Sequence, residues 1–79
     1  MEYYDVLGEC GKRSGISARA ASLALGHNEG YIATQKTMGR KPSVDNAARV
    51  LDAYGYALCA VPHSDVTDSM LQITPNRED

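Results

Sequence analysis

The helix start and stop signals between residues 15 and 55 constrain the fold of this chain more than any other feature. Ser17 is a favourable N-cap, and the segment after it (ARAASLAL) is dense in strong helix formers. Gly26 supplies the backbone freedom that a helix C-terminus needs, and Asn28 is a favourable cap for a second helix. Two helices joined by a short Gly-containing turn form the helix-turn-helix unit, whose second helix lies in the major groove of DNA. The pattern predicts this unit, with the second helix over 28–38.

Further helices are predicted on both sides of this unit. Residues 2–12 carry an apolar stripe at helical spacing, and Ser43 is placed to cap another helix that ends at Gly55. The first stripe consists of Tyr3, Val6, Leu7 and Cys10. The expected buried face of the last helix consists of Val44, Ala47, Ala48, Val50, Leu51 and Tyr54.

The last quarter of the chain changes its period. Residues 56–61 (YALCAV) are apolar and compatible with a β-strand, and residues 70–74 (MLQIT) form a second such segment. We therefore expect a C-terminal β-hairpin over 56–75, after a DNA-binding domain over 1–55 and before a polar tail over 76–79. An isolated hairpin is barely stable in water, so it must pack on the helices or pair with another copy.

Composition limits the classes of protein to which the chain can belong. With 79 residues it can bury one core. No apolar run approaches the roughly 20 residues of a membrane span, and no signal-peptide segment precedes the first helix, so we expect a cytoplasmic protein without a membrane partner. Cys10 and Cys59 have no metal or redox spacing and are expected to be buried thiols. His27 and His63 fit no catalytic motif, so we expect no enzyme, metal or cofactor.

Charge is segregated along the chain, although the net charge is −2. Six basic residues and one acid, Glu29, lie between positions 12 and 41, whereas residues 50–79 contain five acids and one base. The basic residues are Lys12, Arg13, Arg19, Lys36, Arg40 and Lys41. A local basic face is what attraction to DNA phosphates requires, whatever the total charge.

Several ordered elements carry a family resemblance. They are the string Gly15-Ile16-Ser17, the hinge Leu25-Gly26, Tyr31-Ile32, Pro42-Ser43-Val44 and the closing Tyr54-Gly55-Tyr56. In this order and spacing the chain resembles the lambda-repressor-like (XRE/Cro) helix-turn-helix family over about forty residues. The resemblance implies a mainly α domain of four to five helices; some small members of the family also carry a C-terminal hairpin.

The chain departs from the family pattern in three places. The usual Leu-Ala of the first motif helix is Ala21-Ser22, and an apolar position of the second helix is Gln35. The glycine common at the end of that helix is Met38, followed by Gly39. We expect the end of the helix to be reshaped, with Met38 packing where Gln35 cannot.

The resemblance implies a prokaryotic or phage regulator, most simply a repressor, that binds double-stranded DNA in a sequence-specific way. The residues expected to contact bases are Asn28, Glu29, Gly30 and Thr34. The residues expected to contact the DNA backbone are Ser17, Arg19, Tyr31, Lys36, Arg40 and Lys41. Two alternatives stay open: Glu29 can complement the helix dipole without touching a base, and Tyr31 can be partly core.

Dimerisation would double the number of base pairs recognised, because two-fold dimers bind paired half-sites. The expected homodimer surface is the hairpin, through Tyr56, Leu58, Val61, Leu71 and Ile73. A monomer whose hairpin folds over the last helix is the alternative. The alternative function is a protein-interaction module on the same fold, such as an antitoxin or a phage-encoded inhibitor, which the acidic C-terminal part would suit. No small-molecule ligand is expected.

Overall fold

The computed structural model describes residues 1–74, and within them the chain forms four α-helices and one 3-10 turn, His63–Asp65. The helices are α1 (Tyr3–Ser14), α2 (Ala18–Ala24), α3 (Tyr31–Thr37) and α4 (Val44–Ala53). The predicted mainly helical class is therefore confirmed. Among these residues no helix combines the length and apolar composition that crossing a bilayer requires. The predicted tail, 76–79, lies outside the described residues.

Serine hydroxyls begin two of the helices, as the sequence predicts. Ser17 accepts a hydrogen bond from the backbone N–H of Ala20 at 3.0 Å, and Ser43 caps α4 in the same way. The predicted start of α3 is wrong, because the helix begins after Gly30 rather than at Asn28. The side chain of Asn28 accepts from the N–H of Gly30 at 3.1 Å, which makes a turn before the helix instead of a cap on it.

Glycines with positive φ end α2 and α3. Gly26 has φ 81°, and the N–H of the next residue, His27, donates to the carbonyl of Ser22 at 3.1 Å. Gly39 has φ 65° and ends α3 with the same left-handed backbone conformation. Because the chain leaves the helix here, Met38 is 57% exposed, and the expectation that it packs in place of Gln35 is wrong.

One core lies between the four helices and contains most of the predicted stripe residues. Its buried members are Val6, Leu7, Cys10, Ala21, Ile32, Ala47, Val50, Leu51 and Tyr54, together with the polar Ser22. Val44 is 74% exposed, contrary to the prediction, because the core does not extend to the first turn of α4. Cys10 is buried as expected, and burial raises the pKa of its thiol, but Cys59 is exposed.

The predicted C-terminal hairpin is wrong. Residues 56–74 contain no strand, and the apolar segments 56–61 and 70–74 are not paired with each other. The second segment instead finds its backbone partners at the start of the chain. The N-terminal amino group of Met1 donates to the carbonyl of Gln72 at 3.1 Å, and the N–H of Thr74 donates to the carbonyl of Met1 at 2.8 Å.

Packing on the helices explains why residues 70–74 do not form a strand paired with residues 56–61. Tyr56, Leu71 and Ile73 are half-buried against the core, so their apolar surface is covered by the helices. The guanidinium of Arg13 donates to the carbonyl of Ser69 at 2.7 Å, which ties the same segment to α1. Residues 66–74 thus form an irregular strap along the helices, and no strand pairing is needed to bury them.

Candidate nucleic-acid interface

The junction between α2 and α3 is fixed by a buried side chain as well as by the backbone. The hydroxyl of Ser22 donates to the carbonyl of Ala18 at 2.7 Å and accepts from the N–H of Ile32 at 3.1 Å. Ser22 is completely buried, and Ile32 is 6% exposed. Sequence reasoning noted Ser22 as a departure from the family pattern but missed this contact; the polar residue at a small apolar position was the available signal.

An ion pair joins the first turn of α2 to the turn before α3. The guanidinium of Arg19 lies 2.8 Å from the carboxylate of Glu29, and the two side chains are 72% and 63% exposed. Arg19 is predicted from the sequence to contact a DNA phosphate, and Glu29 to contact a base. In the structure the two side chains bind each other. Each of them would have to leave this ion pair to make its predicted contact with DNA.

The predicted base-contacting residues differ in how available their side chains are. Thr34, the fourth residue of α3, is exposed. Asn28 is exposed as well, but its side-chain oxygen already accepts from the N–H of Gly30. Gly30 is half-buried and has no side chain to offer. Asn28 and Glu29 are thus engaged by other groups of the protein and Gly30 has no side chain, which leaves Thr34 as the most accessible of the four. Its contact with a base stays a prediction.

The predicted phosphate-contacting cations lie at the end of α3 and in the loop after it. Lys36 is exposed in the last turn of α3, and Arg40 and Lys41 are exposed in the segment that leads to α4. Ser17 is exposed at the start of α2; its hydroxyl accepts a capping bond and can still donate one to an anion. These side chains supply positive charge and a donor, the chemistry that holds a DNA backbone.

A cavity of about 270 Å³ lies under the loop after α3, between α1, α3 and α4. It brings together Tyr31 with Arg40 and Lys41 from the predicted set. The hydroxyl of Tyr4 donates to the backbone carbonyl of Arg40 at 2.6 Å. This bond ties the basic loop to α1, and burial raises the pKa of the Tyr4 hydroxyl. Sequence reasoning missed Tyr4, which gave no local signal beyond its place on the first helix.

Tyr31 has a structural partner that sequence reasoning also missed. Its ring lies parallel to the ring of His27, with the centroids 3.8 Å apart and the planes 7° apart. Tyr31 is half-buried, so it belongs in part to the core, which was the alternative left open by the sequence. The stack joins the turn before α3 to the first residue of that helix.

The residues predicted for a dimer surface are divided by the fold. Tyr56, Leu71 and Ile73 pack against the core of their own chain. Leu58 and Val61 are 39% and 44% exposed. Of the five residues predicted to form a dimer surface, Leu58 and Val61 are therefore the two that are exposed and could contact a second copy of the chain.

Comparison of the chain with protein-family models, with curated proteins and with solved structures finds no significant match.

Proposed function

We propose that this protein is a sequence-specific double-stranded DNA-binding transcriptional regulator, a repressor in the simplest case. In this proposal the chain is a lambda-repressor-like helix-turn-helix domain, α2 and α3 are the two motif helices, and α3 lies in the major groove. The supporting observation is the combination of α2, the Gly26 turn and α3 with a basic loop directly after α3. This is the order of parts that such a motif needs.

The exposed side chains of α3 suit contacts with base edges. Its seven residues span about 10 Å, enough to enter the groove but short enough to contact only a few base pairs. Ile32 holds the inner face of the helix in the core, while Thr34 and Lys36 lie on its exposed part. The hydroxyl of Thr34 can hydrogen-bond a base, and its methyl group can contact a thymine methyl.

The basic residues around α3 suit contacts with the DNA backbone. Lys36, Arg40 and Lys41 are exposed, and the Tyr4 bond holds the loop that carries the last two. The acid in this part of the chain, Glu29, is paired with Arg19. The surface therefore presents an excess of positive charge, as sequence-independent attraction to DNA requires.

A homodimer is part of the proposal, because one short helix cannot specify a genomic site alone. Leu58 and Val61 are the exposed apolar residues that we propose to lie at the interface. A protein-interaction module on the same fold is the competing function, and the exposed Asp65 and Asp68, which follow Val61 in the chain, would suit a basic partner.

Selection of binding sites from random duplex DNA tests the function directly, and a recovered palindromic consensus is the expected result. A matched set of single variants then locates the surface. The slope of log affinity against log salt concentration is negative and should become shallower when a phosphate contact is lost. We expect a change of about 0.9 for each of Lys36→Ala, Arg40→Ala and Lys41→Ala, and of about 2.7 for the triple variant. The control is Arg49→Ala, an exposed cation on α4 outside the proposed surface, which should leave the slope unchanged.

Failure to recover any consensus, with no salt-dependent binding to duplex DNA, would favour the protein-interaction module. Equal slopes for Arg49→Ala and the three other variants would mean that attraction to DNA is not localised at α3. A variant at Thr34 separates base contacts from backbone contacts. Thr34→Ala should change sequence preference more than nonspecific affinity, and an equal loss for all sequences would assign Thr34 to the backbone.

A further inference from the structure

The recognition helix α3 has no side-chain cap of its own. Its N-cap is Gly30, which has no side chain, and the first N–H groups of any helix need partners from outside the helix. The N–H of Tyr31 donates to the carbonyl of Asn28 at 3.1 Å. The N–H of Ile32, the next along, lies inside the core where water does not reach it.

Ser22 supplies the missing acceptor from the neighbouring helix. Its hydroxyl oxygen accepts from the N–H of Ile32 at 3.1 Å, while its proton is donated to the carbonyl of Ala18 at 2.7 Å. The second bond orients the hydroxyl so that a lone pair faces Ile32. Both groups are buried, so breaking the contact would leave a backbone donor without a partner in the core.

We infer that Ser22 is a positioning residue for DNA recognition: its hydroxyl caps α3 from α2 and so sets the direction in which α3 presents its base-contacting side chains. The inference rests on the proposed function. A seven-residue helix is marginal by itself, so its orientation depends on how its first turn is held. Thr34 lies two residues after Ile32, within one turn of the capped N–H.

Packing and hydrogen bonding at this site can be separated by substitution. Ser22→Ala keeps a small side chain in the core and removes the hydroxyl. Ser14→Ala is the matched control, because the hydroxyl of Ser14 also donates to the carbonyl four residues earlier, that of Cys10, at 2.8 Å. Ser14 ends α1, and its weak second contact is with the N–H of Ile16, not with α3.

Amide hydrogen exchange measured by NMR tests the cap without DNA. In the unmodified chain the N–H of Ile32 should be protected. In Ser22→Ala it should exchange at least about fivefold faster relative to the N–H of Val50, because a buried donor has lost its acceptor. Ser14→Ala should leave this ratio unchanged. An unprotected Ile32 N–H in the unmodified chain, or an unchanged ratio in Ser22→Ala, would overturn the cap.

Affinity for DNA tests the positioning role. The ratio of affinities for the selected site and for a site with one changed base pair should fall at least about fivefold in Ser22→Ala, while nonspecific affinity at the same salt concentration changes less than about twofold. Equal loss for all sequences, or no loss despite faster exchange at Ile32, would overturn it. Absence of DNA binding by the unmodified chain would instead overturn the proposed function, and the exchange result would still decide the cap.

A second substitution covers the case in which Ser22→Ala does not fold. Ser22→Cys enlarges the side chain slightly, since sulfur replaces oxygen, and exchanges the hydroxyl for a weaker donor and acceptor. Its exchange ratio and its discrimination between sites should both fall between those of the unmodified chain and those expected for complete loss of the bond. Values equal to those of the unmodified chain would show that the hydroxyl is not needed.

Discussion

The guanidinium of Arg19 and the carboxylate of Glu29 form an ion pair, 2.8 Å apart, between the first turn of α2 and the turn before α3. Both side chains are mostly exposed, so the pair contributes about 1 kcal/mol or less to stability. The ion pair matters more for the proposed binding of DNA than for stability. While Arg19 and Glu29 are paired with each other, neither side chain is free to contact a phosphate or a base.

Neutralising Glu29 should increase affinity for DNA. In Glu29→Gln the guanidinium of Arg19 is released to a phosphate and one repulsive charge is lost, so nonspecific affinity should rise and the salt slope should steepen by about 0.9. Arg19→Gln leaves the carboxylate of Glu29 unpaired beside the DNA and should lower nonspecific affinity in the same assay. Thermal denaturation should show little change for either variant. If Glu29→Gln loses preference for a cytosine in the selected site, Glu29 contacts a base instead.

Two glycines of α1 should respond in opposite ways to substitution by alanine. A Cβ at Gly11 would lie 2.9 Å from the carbonyl oxygen of Ile16 and 3.4 Å from the ring of Tyr54, so Gly11→Ala should lower the free energy of unfolding by about 1–3 kcal/mol. A Cβ at Gly8 would meet no atom within 4 Å, so Gly8→Ala should raise it by up to about 1 kcal/mol. Urea denaturation measures both. Stabilisation by Gly11→Ala would show that α1 can move away from its neighbours.

Stability should fall in alkaline solution, in part through Tyr3. Burial, with smaller contributions from neighbouring tyrosines, raises the pKa of Tyr3 to about 12 from its ordinary value of 10. The folded chain therefore holds this proton more tightly than the unfolded chain, and the contribution to stability is complete below pH 10 and lost as the pH rises towards 12. Urea denaturation at pH 9, 10 and 11 should show a smaller loss for Tyr3→Phe. Parallel losses in the two proteins would exclude Tyr3 as a source.

The proposed dimer predicts a specific response to a charge in the C-terminal segment. Sedimentation at tens of micromolar should give a dimer for the unmodified chain and a monomer for Leu58→Asp, because a buried unpaired charge opposes association. Leu23→Asp is the control, an exposed leucine on α2 outside the proposed interface. A monomeric unmodified chain would contradict the dimer. Dissociation by Leu23→Asp, and not by Leu58→Asp, would move the interface to the helices.

The helices and two of their caps could be predicted because they depend on neighbouring residues. Ser17 and Ser43 each bond an N–H three residues later, and Gly26 takes a backbone conformation that its own lack of a side chain allows. The apolar stripe of α1 likewise follows from helical periodicity. These interactions are local in the chain, so neighbouring residues alone indicate where three of the four helices begin and which face of α1 is buried.

Contacts between residues far apart in the chain depend on how the helices pack and could not be predicted. Residues 70–74 had a strand-like composition, but the surface of the helices and the start of the chain gave them partners that no local pattern indicates. The bond between Ser22 and Ile32 spans ten residues, and the one between Tyr4 and Arg40 spans 36. Contacts of this kind arise only when packing brings two segments together, because their energy depends on burial and on a fixed distance between groups that the sequence places apart.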